Sequence, residues 1–157
     1  MKFISHRIRE RLNGRAGEGA VDRATRAVGT TEELHPRNTL TLTNVADREE
    51  LTWIREGPDA LEEQLLVPLL GTHPVELGMK GQIEGVLEAF RDDSTYRLLF
   101  PEAFPDAEDP FSLDNVAMAI ATFERQLVSR DAPYDRYLAG EEGALDAAAR
   151  RGLELFF

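Results

Sequence analysis

Cysteine is absent from the 157-residue sequence. This absence excludes disulfides, thiol nucleophiles and zinc–thiolate sites. Long apolar runs are also missing, and no stretch approaches the roughly 20 residues that a membrane-spanning helix needs. The opening residues, MKFISHRIRERL, lack the continuous apolar core of a secretory signal. We therefore expect no membrane span, and a cytoplasmic location if the chain is made as written.

Positive charge is scarce over most of the chain, whose net charge is −11. Residues 1–48 hold nine Lys and Arg against six Asp and Glu, whereas residues 49–157 hold nine against 23. A nucleic-acid-binding surface neutralises phosphates with Lys and Arg, so the acidic body predicts no nucleic-acid partner. The arginine-rich start could contact an acidic partner or could be a solvated terminus.

Common catalytic and metal-binding motifs are missing as well. His6, His35 and His73 are far apart and show no ligand spacing, so the sequence predicts no zinc site. No serine nucleophile elbow, glycine-rich phosphate loop or EF-hand is present. Paired carboxylates occur at 62–63 and 141–142, but adjacent side chains on a helix point apart. They are interpreted as solvated faces.

What the sequence does contain is apolar residues at helical spacing, which predict an all-α chain. No alternating pattern is strong enough to predict a sheet. A short amphipathic helix is expected around residues 4–12. Asp59 is expected to cap the first strong helix, which would end at Pro68 and Gly71.

Three more helices are predicted in the middle of the chain. Two cover about 80–91 and 94–100, and the second of these would end at Pro101. Ser112 is expected to cap the longest helix. The inward face of that helix is predicted to carry four large apolar residues: Val116, Ile120, Phe123 and Leu127.

Asp146 is expected to cap a last helix that presents Leu153, Phe156 and Phe157. Chain ends are usually polar, so two terminal aromatic rings need an explanation. Either the rings fold back into the core, or a polypeptide segment that would cover them is missing. The exposed alternative predicts self-association through this apolar end.

Seven segments follow one another along the chain: RNTLTLTNVA (37–46), LTW (51–53), ALEEQLLVPLL (60–70), HPVELGM (73–79), AIATFERQLVS (119–129), PYDRYL (133–138) and RRGLELFF (150–157). Taken in this order, they resemble the bacterial di-haem cytochrome c peroxidase family, which includes the di-haem enzyme that matures tryptophan tryptophylquinone. The resemblance covers about residues 22–157.

The resemblance implies a cytochrome c-like helical domain with extended loops. Residues 1–34 would form a divergent N-terminal segment, and 35–157 the N-terminal, peroxidatic domain. The implied activity is that of a cytochrome c peroxidase-like oxidoreductase, which transfers electrons through haem and reduces hydrogen peroxide in the periplasm. A second haem domain and a small electron-donor protein are the implied partners, and the isolated chain is expected to be inactive.

The resemblance also assigns roles to individual residues. Glu76 would be the acid/base beside the N-terminal haem, and Gln64 the amide of the same distal pocket. Trp53 would relay electrons between the two haems. Asn38 would help to bind calcium. His6, in the segment KFISH, would be the haem ligand.

Two departures from the family pattern qualify these roles. The family binds haem through Cys-x-x-Cys-His, but Lys2 and Ser5 stand where cysteines belong. Any haem would therefore be held without thioether bonds. The chain also stops before the second attachment motif would begin. An alternative is a haem-free helical remnant or interaction module from an interrupted gene.

Overall fold

The computed structural model describes residues 24–52 and 57–157. In those ranges the regular secondary structure is helical apart from an isolated β-bridge between Val28 and Leu34, so the expected all-α class is confirmed. Short 3-10 helices cover Val45–Asp47 and Glu142–Ala144. Six α-helices lie in the described part of the chain: α1 (Leu61–Leu70), α2 (Ile83–Asp92), α3 (Tyr96–Ala103), α4 (Leu113–Glu124), α5 (Pro133–Leu138) and α6 (Ala147–Phe156).

Helix α1 differs from its prediction at its start and near its end. Its N-cap is Ala60, which offers no side-chain cap, so the expected Asp59 cap is wrong. Pro68 lies inside the helix rather than closing it. A proline there removes one intrahelical hydrogen bond, and burial of Leu61 and Leu65 on the inner face offsets that loss.

Helix α4 begins at the predicted cap. The Ser112 hydroxyl accepts the Asn115 N–H at 3.2 Å. Its buried face, however, is not the predicted one. Ile120 and Phe123 are 36% and 50% exposed, whereas four other residues of the helix are buried: Asn115, Ala117, Ala121 and Glu124. Small side chains let two helices approach closely, so alanines rather than the large residues form the contact face.

That contact face packs on α1, and the two helices carry the centre of the core. Ala121 is fully buried there, in a cluster with Leu61, Val45 and Leu51. At the edge of the contact, both terminal nitrogens of Arg125 donate to the carboxylate of Glu62, at 2.7 and 2.9 Å. This forked pair holds the two helices in register, and the arginine lowers the pKa of Glu62.

An aromatic cluster holds α2 and α3 together. Helix α3 runs through Pro101 to Ala103, so the predicted end at Pro101 is wrong. Phe100 is buried and stacks on the Phe111 ring with centroids 5.2 Å apart. The other rings of the cluster are Phe90, Tyr96 and Phe104.

The chain divides into two compact units, one ending at Leu127 and the other beginning at Val128. In the second unit the predicted Asp146 cap is confirmed, since its carboxylate accepts the Ala149 N–H at 2.7 Å. The last three residues of the chain are exposed: Leu155, Phe156 and Phe157. The two rings contact each other edge to face but do not fold back into a core.

Three predictions fall outside the described residues: the helix around residues 4–12, His6 as haem ligand and Trp53 as electron relay. Within the described ranges, every helix is too short or too polar to cross a membrane.

Glu124, the last residue of α4, is a buried carboxylate. The residue is 7% exposed, and its Oε2 atom has no hydrogen-bond partner among the described residues. Burial raises the pKa of this carboxyl, the positive charge of Arg125 opposes that rise, and the negative charge of Glu62 adds to it. A buried group of this kind destabilises the fold when it ionises.

We expect Glu124→Gln to raise the melting temperature at neutral pH. Burial raises the folded-state pKa of Glu124, so the neutral carboxyl is favoured in the folded chain. Its contribution to the free energy of unfolding is therefore complete below the unfolded-state pKa and is lost as pH rises through the folded-state pKa. The advantage of the glutamine should therefore shrink towards about pH 4. Thermal unfolding from pH 4 to 8 checks this, with the exposed Glu63→Gln as control. Equal destabilisation by Glu124→Gln at every pH would contradict the prediction.

Candidate functional site

The loop over residues 71–79 is hydrogen-bonded to the last carbonyls of α1. Leu77 N–H donates to the Pro68 carbonyl at 3.0 Å. Met79 N–H donates to the Leu69 carbonyl, also at 3.0 Å. Carbonyls in the last turn of a helix have no partner inside the helix. The loop supplies these partners, so the end of α1 fixes the path of the loop.

A turn over residues 27–37 lies against the other side of the same loop. Thr30 N–H donates to the Glu76 carbonyl at 2.8 Å. Gly29 approaches the loop so closely that a Cβ there would lie 1.8 Å from the Val75 carbonyl oxygen. Any larger residue at this position would force the backbones apart. The backbone around Glu76 is therefore held from two sides.

Backbone hydrogen bonds within the turn hold His35. Its N–H donates to the Ala27 carbonyl at 2.8 Å, and Ala27 N–H donates to the Arg37 carbonyl at 2.9 Å. The Arg26 guanidinium donates to the carbonyl of His35 itself. His35 is 8% exposed, so its imidazole is buried at a fixed position.

The Glu76 carboxylate faces this imidazole. Its Oε1 atom lies 3.8 Å from His35 Nδ1, and the Glu76 side chain is 41% exposed. A partly buried carboxylate beside an imidazole brings together two groups that commonly serve as general acids and bases. Nothing in the sequence links His35 to Glu76, because only the contact between turn and loop brings the two side chains together.

The other predicted site residues are placed as follows. Gln64 lies half-buried on α1, the helix whose end holds the Glu76 loop. That Gln64 and Glu76 converge on one cavity stays a prediction. Asn38 is exposed, one residue beyond the turn. In the described part of the chain, no three His, Cys, Asp or Glu residues gather as metal ligands would.

The residues present fit a haem only in part. Thioether attachment cannot form, because the sequence contains no cysteine. Non-covalent binding is chemically compatible with this chain. The large apolar face of α4 is open, with Phe123 half-exposed, and a porphyrin packs against side chains of this kind.

Several known proteins are similar to this chain over most of its length. The family model for di-haem cytochrome c peroxidase matches residues 15–143. Methylamine utilization protein MauG of Methylorubrum extorquens is 38% identical over 138 residues, which are 88% of this chain and 37% of that protein. Cytochrome c551 peroxidase of Pseudomonas aeruginosa is 35% identical over 140 residues, or 89% of this chain and 39% of that one.

A solved structure shares the fold. The crystal structure of a MauG-like protein associated with microbial copper homeostasis matches with a TM-score of 0.80 and 35% identity. The match covers 87% of this chain and 39% of the other. The chain therefore spans about two fifths of the length of the relatives it matches, and the expected cytochrome c-like fold is confirmed.

We expect Gly29→Ala to destabilise the chain by roughly 1–3 kcal/mol, because the new methyl group would overlap the Val75 carbonyl. Denaturant unfolding measures the loss. Gly85→Ala is the matched control: Gly85 lies in α2 with nothing within 4 Å of a built Cβ. Alanine there should stabilise by about 0.5–1 kcal/mol. Similar effects of the two substitutions would contradict the close approach at Gly29.

Proposed function

The chain belongs to the di-haem cytochrome c peroxidase family, and we propose that it is the peroxide-reducing, N-terminal portion of such an oxidoreductase. Residues 35–157 would form that domain, and residues 1–34 a divergent segment before it. The observation that carries this proposal is the Glu76 carboxylate, held beside the buried His35 by a loop with a fixed backbone.

In this proposal Glu76 moves a proton. Reduction of one hydrogen peroxide to two waters consumes two electrons and two protons and breaks the O–O bond. A bound haem would supply the electron transfer, with His6 as its protein ligand. A carboxylate oxygen of Glu76 accepts the proton of one peroxide oxygen and returns it to the other, which leaves as water. The Gln64 amide, which can both donate and accept, orients the peroxide.

The remaining assignments belong to the whole protein. Trp53 would carry electrons from a second haem domain, which would receive them from a small donor protein in the periplasm. Asn38 would contribute its amide oxygen to calcium, a cation that prefers oxygen ligands. Because Asn38 is exposed, a calcium ion on its amide oxygen could take further oxygen ligands from another domain.

A second candidate is a haem-free interaction module or remnant of an interrupted gene. Two observations favour it: the sequence has no cysteine, and Leu155, Phe156 and Phe157 are each more than four-fifths exposed. Codons for Cys-x-x-Cys-His in another reading frame of the neighbouring DNA would assign the peroxidase activity to a parent protein.

Haemin titration of the purified chain tests the peroxidase proposal. We expect a shifted Soret band with haem that acid-acetone extracts completely, because no thioether bond can form. In the haemin-loaded chain a single turnover with hydrogen peroxide should be slowed about 100-fold or more by Glu76→Gln. Glu102→Gln, an exposed change on α3, is the control. An unshifted haemin spectrum would instead support the haem-free candidate.

We also expect the isolated chain to self-associate through its apolar end. Sedimentation velocity over a concentration series should show oligomers that the double substitution Phe156→Ser and Phe157→Ser removes. Leu138→Ser is the matched control, since Leu138 is 65% exposed on a different helix. A monodisperse monomer at the highest concentration would count against this prediction.

A further inference from the structure

His35 is fixed far more tightly than the carboxylate that it faces. Its backbone donates and accepts hydrogen bonds within the turn over residues 27–37, and its side chain is nine-tenths buried. The Glu76 backbone is also held, through its carbonyl. The Glu76 side chain, by contrast, is 41% exposed, and an exposed side chain keeps more rotamer freedom than a buried one. Within the pair, the imidazole is the fixed element and the carboxylate the movable one.

The chemistry of the two groups fixes the direction of any hydrogen bond between them. An ionised carboxylate only accepts, so His35 must donate from the nitrogen that faces Glu76, which is Nδ1. In a neutral imidazole the other nitrogen, Nε2, then carries no hydrogen. Nε2 is buried and has no hydrogen-bond partner among the described residues. No acceptor in that part of the chain therefore holds the hydrogen on Nε2.

The observed separation of the two side chains is longer than a hydrogen bond. At 3.8 Å, Oε1 and Nδ1 are about 0.8 Å beyond an ordinary N–H···O distance. Rotation about the side-chain bonds of Glu76 would close that gap while the backbone hydrogen bonds of the turn and the loop stay in place. Hydrogen bonds at active sites often tighten in this way only when substrate is bound.

We propose that His35 is a positioning residue, which donates from Nδ1 to orient the Glu76 carboxylate for proton transfer. This inference rests on the proposed role of Glu76 in the peroxide reaction. His73 does not serve the same purpose, although it lies in the Glu76 loop. It is exposed, and its Nδ1 atom lies 3.3 Å from the hydroxyl of the neighbouring Thr72.

The first test needs no haem. Nitrogen-15 NMR of the imidazole rings reports which ring nitrogen carries the hydrogen, and His35→Asn and His73→Asn assign the signals. In the parent chain His35 should be the Nδ1–H tautomer. Glu76→Ala removes the acceptor and should shift His35 towards a mixture of tautomers. The His73 signals should stay unchanged.

The second test follows a single turnover with hydrogen peroxide in the haemin-loaded chain. His35→Phe keeps an aromatic ring but removes the Nδ1–H donor. We expect it to slow the reaction about 10-fold, because the Glu76 carboxylate is then misoriented. His35→Asn places an amide N–H near the position of Nδ1 and should restore the rate to within about threefold of the parent. His73→Asn should not change it.

The outcomes separate this inference from the function on which it rests. An Nε2–H tautomer in the parent, or a His35 signal that ignores Glu76→Ala, overturns the positioning role while Glu76 can still transfer protons. In the alternative outcome, the His35 tautomer responds to Glu76→Ala while Glu76→Gln leaves the peroxide reaction unchanged. That result overturns the proposed function, and the positioning role with it. If His35→Phe does not fold, the tautomer and the rate of His35→Asn relative to the parent chain still decide the matter.

Discussion

The structure around Glu76 depends on how one helix end satisfies its carbonyl groups. The last turn of α1 must find hydrogen-bond donors outside the helix, and the loop over residues 71–79 provides them. Glu76 therefore inherits its position from α1, which is itself held by its packing on α4. The backbone of a loop that carries a candidate catalytic carboxylate is thus held in place by a helix, and an acid/base group needs such a fixed support.

Local signals in the sequence predicted five of the six described α-helices and two of their caps; the helix over Pro133–Leu138 was not predicted. Ser112 and Asp146 cap as expected, because a side-chain oxygen at the N-cap bonds backbone within one turn. The buried face of α4 was predicted wrongly. Large apolar residues favoured Phe123, but the neighbouring helix accepts Ala117 and Ala121 at close range. That choice depends on tertiary packing, which periodicity does not contain.

The candidate site shows the same division. Glu76 and Gln64 could be proposed from ordered motifs, because the resemblance carries their positions residue by residue. His35 could not, since nothing in its local sequence links it to Glu76. Their contact depends on Gly29, whose missing side chain lets the turn reach the loop. A glycine in a polar segment predicts only a turn, and the close approach that requires it is seen once its neighbour in space is known.

Forming the Arg125–Glu62 pair costs chain entropy, because it closes a long segment of the polypeptide into a loop. The pair joins α1 to α4 across 63 residues, whereas the aromatic cluster joins neighbours in sequence from Phe90 to Phe111. Closing the longer segment costs more chain entropy, although the cost grows only slowly with length. Substitutions that loosen the intervening chain therefore act on the α1–α4 contact, and through α1 on the loop that carries Glu76.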